Sequence, residues 1–120
     1  MLVVTRFAVG GPETDAADAF VVRAHTALAA LAACPGYRSG RLGRAVDDPA
    51  QWVLVVDWES VGAYRRALSS FDVKVNATPL LAAALDAPSA FEVLASAAPG
   101  GEVEVRSSDR ARGADAAVRS

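Results

Sequence analysis

The sequence predicts a single α+β domain, an antiparallel sheet with helices packed on one face. Three observations predict it. The stretch Gln51–Leu68 reads as one strand running straight into one amphipathic helix. Around it, apolar periodicity switches between two and 3.6 residues in the order strand, helix, strand, strand, helix, strand. At 120 residues, 52% of them hydrophobic, the chain holds enough apolar material for one core of ordinary size.

The central stretch is the most informative. Trp52, Leu54, Val56 and Trp58 occupy the even positions of the strand, while Val53 and Val55 on the odd positions are also apolar before Asp57 and Glu59 end the run. A strand with one solvated face alternates apolar and polar residues. This strand is apolar on both faces across its middle, so each face needs cover. Ser60 supplies a hydroxyl N-cap, and Val61, Tyr64, Leu68 and Phe71 follow at helical spacing.

Taken in order, Leu2–Val9 is a first strand ended by Gly10-Gly11-Pro12, with Val3, Thr5, Phe7 and Val9 on one face and Leu2, Val4, Arg6 and Ala8 on the other. Arg6 stands out in that pattern: it is either an arginine whose stem lies along a sheet edge or a charge that faces a ligand. Thr14 or Asp15 caps a long helix that ends before Pro35-Gly36, with Phe20, Ala24, Ala27, Leu28 and Leu31 as its buried stripe. His25 flanks that stripe as a half-exposed helix residue, and Cys34 packs at the helix end. Residues 36–46 form a second strand interrupted by Gly40 and Gly43; Arg38, Arg41 and Arg44 recur every third residue, which suits a solvated basic edge better than a single charged face. Asp47-Asp48-Pro49 turns this strand into the Trp52 strand as a hairpin, and Trp52 is expected at an edge.

Beyond the second helix, residues 71–76 are open between a helical turn and a loop. Thr78 caps a short helix through Leu85 with Pro79 at its first position, and Ser89–Ala95 is the last strand. The folded domain is thus residues 1–96. Residues 97–120 are rich in Gly, Ala, Ser, Arg and Asp, and are expected to be a disordered tail; Glu102–Arg106 has the alternation of an edge strand but little else to bury. The resulting βαββαβ order is that of a ferredoxin-like antiparallel sheet. Because both helices cover the same face, the other face predicts a homodimer that packs sheet to sheet.

Composition excludes several functions. Twelve basic against 14 acidic side chains, a net charge of −2, give no general attraction to nucleic acid or to an anionic membrane surface. No apolar run approaches the ~20 residues that span a bilayer, the N-terminus lacks the pattern of a signal peptide, and a single cysteine excludes an internal disulfide. The cytoplasm is the expected compartment. One histidine, one cysteine and no glycine-rich phosphate loop predict a protein without metal, haem or flavin.

The succession strand, helix, Pro35-Gly36-Tyr37, hairpin, Trp58-Glu59-Ser60 and helix with Ala63-Tyr64 resembles the antibiotic biosynthesis monooxygenase superfamily. The resemblance covers about Leu2 to Leu94 and implies a dimeric α/β barrel. In the cofactor-free branch, which oxidises phenolic polyketide rings to quinones, a pocket tryptophan ends this strand and a tyrosine follows six residues later, as Trp58 and Tyr64 do. The asparagine and arginine that accompany them are replaced here by Leu54 and Thr78. In the haem-degrading branch an asparagine stands on the first strand and an axial histidine follows the second helix. The first strand here has no asparagine, and Asn76 stands at the expected place of the histidine, so haem degradation is disfavoured.

The resemblance therefore implies a cofactor-independent monooxygenase acting on an aromatic or polyketide-like small molecule. Trp58 and Tyr64 would be its catalytic residues, with Arg6, Leu54, Asn76 and Thr78 lining the substrate site. A non-catalytic ligand-binding or pathway-accessory dimer is the alternative, favoured by the two missing polar partners. Read from the residues alone, Trp58 and Tyr64 lie on apolar stripes and also fit as core; their indole N–H and phenol O–H, which need partners when buried, point to a ligand.

Overall fold

In a computed structural model, which describes residues 1–10 and 14–107, the elements run β1 (Leu2–Ala8), α1 (Thr14–Ala32), β2 (Tyr37–Arg44), β3 (Gln51–Trp58), α2 (Val61–Ser69), α3 (Phe71–Asn76), α4 (Thr78–Leu81), β4 (Ala90–Phe91), β5 (Ala95–Ser96) and β6 (Glu104–Val105). The first four strands form one antiparallel sheet in the order β2-β3-β1-β4. This is the ferredoxin-like arrangement predicted by the sequence, with β3 and β1 in the centre.

The two-residue period of β3 is visible in its burial. Trp52, Leu54, Val56 and Trp58 are buried on the helix side, while Gln51, Val53, Val55 and Asp57 are half-exposed on the other. β1 alternates in step, with Val3, Thr5 and Phe7 inward and Leu2, Val4, Arg6 and Ala8 outward. Phe20, Ala24, Ala27 and Leu31 of α1 close the core from above as the periodicity predicts, Leu28 being half-buried and His25 exposed. The outward rows Val4–Val55–Arg41 and Arg6–Val53–Gly43 lie in register and carry no helix.

Ser60 caps α2 as expected, its Oγ accepting the Ala63 N–H at 3.0 Å. The open stretch at 71–76 resolves as helix because Ser70 works twice: its N–H donates to Ala67 O at the end of α2, and its Oγ accepts Val73 N–H at the start of α3. The expected threonine cap of the next helix is not formed. Ala77 closes α3 with its N–H on Val73 O and opens α4 with its C=O receiving Leu81 N–H, so Thr78 already sits inside the first turn and α4 has no side-chain cap.

The last strand is shorter than the predicted Ser89–Ala95. Leu85 N–H donates to Arg6 O at 2.8 Å and Val4 N–H donates to Ser89 O at 2.6 Å. The chain therefore uses five residues, Leu85 to Ser89, where β1 uses three, Val4 to Arg6, and Asp86, Ala87 and Pro88 arch away from the ladder. Pro88 has no N–H to offer it. Pairing then covers only Ala90–Phe91, because β1 ends at Leu2. Beyond it, Ala95–Ser96 pairs with Glu104–Val105 as a separate exposed hairpin, held also by Arg106 N–H on Leu94 O. Glu104–Val105 thus takes the strand pairing for which Glu102–Arg106 has the alternation; residues 108–120 of the expected tail lie outside the described residues, as does the Thr14 side chain.

Trp52 is not an edge residue. It is 9% exposed, its ring packs on Phe20 at 5.2 Å, and the Arg44 guanidinium lies 4.7 Å above it. Arg38, Arg41 and Arg44 are all exposed on the edge strand β2, as expected of a solvated basic edge, and Arg44 Nε donates to Pro49 O at 2.7 Å.

Candidate functional site

The joint between β3 and α2 sets one group of aromatic side chains. Trp58 is the last residue of β3 and faces Tyr37, the first of β2, directly across the ladder. Their rings meet edge-to-face at 5.6 Å and 87°, a favoured geometry. Glu59 N–H donates to Gly36 O at 2.7 Å, which ties the strand end to the Pro35-Gly36 turn. Gly36 has φ +87°, and a Cβ there would overlap that of Ala63. Both its conformation and its close approach to α2 therefore require glycine. With Ser60 fixing the first turn, the next residue, Tyr64, stands beside the indole at 5.9 Å and 45°.

Tyr64 is half-buried, and desolvation pushes its phenol above the ordinary value of 10.0. The hydroxyl is therefore protonated at neutral pH, available to donate a hydrogen bond to a ligand and not a resting base. Its ring, with Leu68 one turn on, is a wall shared by two clefts. The larger, about 520 Å³, lies where β4 leaves β1 and is closed by α2, α4 and the 85–89 arch. The smaller, about 350 Å³, opens on the other side beside Met1, Val61 and Arg65.

Of the residues singled out from the sequence, Tyr64, Thr78 and Arg6 border the larger cleft. Arg6 does so at the strand edge through the backbone that holds Leu85; its exposed side chain alternates onto the open sheet face. Trp58 is 1% exposed and lies behind Tyr64 without lining either cleft. Leu54 is 1% exposed, a core residue paired with Thr5 and Leu42. Asn76 stands apart: its Nδ2 donates to Asp72 Oδ1 at 2.6 Å, and it borders a separate groove with Val22 and Pro79.

Sequence reasoning missed Thr5, the one buried polar side chain among the described residues, at 6% exposure on the cleft wall. The signal was present, since period two puts this hydroxyl on the inward face between Val3 and Phe7. It also missed Leu81 and Leu85, apolar walls whose place depends on α4 and the arch. Apolar walls with a few hydroxyls suit a compact, mostly apolar ligand. Among the described residues, no three His, Cys, Asp or Glu side chains converge as metal ligands, and no helix is long and apolar enough to cross a membrane.

The fold and cleft define a class of small α+β proteins with a cleft between an antiparallel sheet and its helices. Within that class the chain belongs to the antibiotic biosynthesis monooxygenase family, whose profile matches residues 2–76. Among solved structures it is similar to SnoaB, a cofactor-independent oxygenase from Streptomyces nogalater, at 29% identity and TM-score 0.58, over 69% of this chain and 80% of that one. A mutant of SnoaB matches at 28% identity and TM-score 0.59, over 70% and 82%. A putative antibiotic biosynthesis monooxygenase from Nitrosomonas europaea, at 18% identity, TM-score 0.54 and 73% and 90% coverage, shows the shared fold. No curated protein matches the chain significantly by sequence. Family and likeness together support a monooxygenase-type function in general.

Proposed function

We propose that the protein is a cofactor-independent monooxygenase that oxidises a phenolic aromatic or polyketide-like small molecule to a quinone in the larger cleft. The observation that carries this reading is Tyr64: a protonated, half-buried phenol on the wall of a 520 Å³ cleft, held from behind by a buried tryptophan. The likeness to SnoaB supports the same reaction class.

The substrate itself supplies the electrons. A bound phenol or enol loses a proton, its carbanion passes one electron to oxygen, and the caged pair combines to a peroxide that collapses to a carbonyl and water. The protein excludes bulk water, orients the ring and stabilises the developing oxyanion. Tyr64 donates the hydrogen bond to that oxyanion or to the peroxide. Thr5 and Thr78 add hydroxyls to the cleft wall. Trp58, behind the phenol, fixes the ring of Tyr64 rather than stacking on the substrate.

The working unit in this reading is a homodimer in the cytoplasm. Val4, Val53 and Val55, half-exposed on the open sheet face, support the dimer, because a second sheet covers them. The test is oxygen uptake by the pure protein with an anthrone-type phenol. Uptake with quinone formation supports the reading. Saturable binding of that phenol without uptake overturns it in favour of a non-catalytic binding dimer, the reading that Leu54 and Thr78 favour by replacing the polar partners.

A further inference from the structure

We propose that Asp86 is the general base of the larger cleft, the side chain that takes the first proton from a phenol bound as its ketone tautomer. This role rests on the oxygenase reading, whose chemistry cannot start until the substrate becomes an anion. Of the side chains that line the cleft, Tyr64 keeps its proton at neutral pH, Thr5, Thr78 and Ser89 are alcohols, and Arg6 is a cation. Asp86 alone is a carboxylate, and the remaining walls are apolar.

The fold holds that carboxylate in place and leaves it free. Asp86 follows Leu85, whose N–H donates to Arg6 O at 2.8 Å, and at the far end of the arch Ser89 O accepts Val4 N–H at 2.6 Å. Both ends of the arch are thus tied to β1 on either side of Thr5, whose side chain is 6% exposed on the same cleft wall. Other aspartates are engaged: Asp48 Oδ1 accepts Ala50 N–H, Asp72 Oδ1 accepts Asn76 Nδ2, and Asp57 faces the N-terminal ammonium. Asp86 has no such partner among the described residues. It is exposed at the rim, so it can exchange its proton with water between turnovers.

The step is a proton transfer from carbon. A C–H bond of the ketone's methylene breaks, its electron pair spreads onto the carbonyl oxygen, and the proton goes to an Asp86 oxygen. Tyr64 donates a hydrogen bond to the enolate oxygen so formed. A carboxylate is a weak base in water, but covering one with an apolar ligand takes solvent from its charged form and strengthens it. Once dioxygen has added to the carbon as a peroxide anion, protonated Asp86 returns its proton to the outer oxygen. Asp86 then takes the second methylene proton as the O–O bond breaks, and it gives that proton to the departing hydroxide. The products are a carbonyl and water, and the carboxylate ends as it began.

The test needs no oxygen. Anthrone is held under argon with the full chain in deuterium oxide, and the loss of its methylene proton signal is followed by nuclear magnetic resonance. Protein-catalysed exchange is expected, falling toward the buffer rate by about 10²–10⁴-fold in Asp86→Asn, the usual worth of a positioned base. Asp86→Glu should recover part of it, while circular dichroism and anthrone binding stay as in the parent. Exchange at the buffer rate in the parent, or equal exchange in the parent and Asp86→Asn, would overturn the assignment. Oxygen uptake in air separates the two readings. Asp86-dependent exchange without uptake keeps the base and removes the oxygenase, and uptake without Asp86-dependent exchange keeps the oxygenase and removes the base.

Discussion

Trp52 and Trp58 stand on the same strand and the same face, six residues apart and both buried, yet their surroundings differ in kind. Trp52 is enclosed by Phe7 and Phe20 and lidded by Arg44, and its Nε1 has no hydrogen-bond partner among the described residues. Trp58 has a tyrosine on each side, and beyond one of them lies a cleft. At the Trp52 end a small cleft of about 250 Å³ lies outside Phe7 and Phe20. At the other end Tyr64 itself stands on the wall of the larger one. The strand pattern that buries both tryptophans says nothing of this difference; it comes from what α1, α2 and the arch bring to each end.

Emptying the Trp52 end is the most damaging change. Trp52→Ala should cost about 3–5 kcal/mol of unfolding free energy in urea, in the range of large aromatic truncations in cores. It should leave binding of a phenolic ligand at the other end nearly unchanged in the surviving folded fraction. Loss of binding at matched folded fraction would mean that the two ends are not separate.

Charging the open face comes next. Val55→Glu places a carboxylate between Val4 and the exposed Arg41 on the open face, and burying it under a second sheet costs several kcal/mol, on the order of 3, even with the arginine beside it. Sedimentation should then show dissociation to the 12.4 kDa chain or unfolding. If the parent already sediments as that single chain at micromolar concentration, the paired-sheet assembly is wrong.

A smaller effect belongs to the lid. Arg44→Ala removes the cation over Trp52 and its bond to Pro49 O, and thermal unfolding should show a loss of about 0.5–1 kcal/mol, the value of an exposed cation–π contact. No loss would leave Arg44 a bystander.

The smallest effect is a titration. Burial raises the Tyr64 phenol above 10.0, so the unfolded chain ionises first and stability falls as pH rises from about 10 through the higher folded value. Ultraviolet titration should show a late phenol step that disappears in Tyr64→Phe. A step that remains belongs to another group.

The sequence carried the frame well because its signals there are local. Alternation along β1 and β3 gives their inward faces, Ser60 marks the start of α2, and Pro35-Gly36-Tyr37 marks the turn against which Ala63 packs. It carried the cleft poorly because the cleft is made by elements too short to announce themselves. α3 and α4 have six and four residues, too few for a periodic stripe, and depend on Ser70 and Ala77 shared between helices. The arch over the cleft depends on two backbone bonds to β1, which no side-chain pattern records. Hence Tyr64 and Thr78 fall at the cleft, while Asn76, two residues before Thr78, turns to Asp72 on another surface.

In the oxygenase reading, chemistry belongs to the Trp58 end, through the Tyr64 hydroxyl. The direct measurement compares oxygen uptake and melting temperature of the parent and Tyr64→Phe proteins with an anthrone-type phenol. Tyr64→Phe should lower turnover about 10²–10⁴-fold, the usual worth of a positioned proton donor, with the melting temperature and dimer almost unchanged. Equal turnover in the two proteins, or a loss of stability with no selective loss of turnover, would contradict it and leave Tyr64 as core.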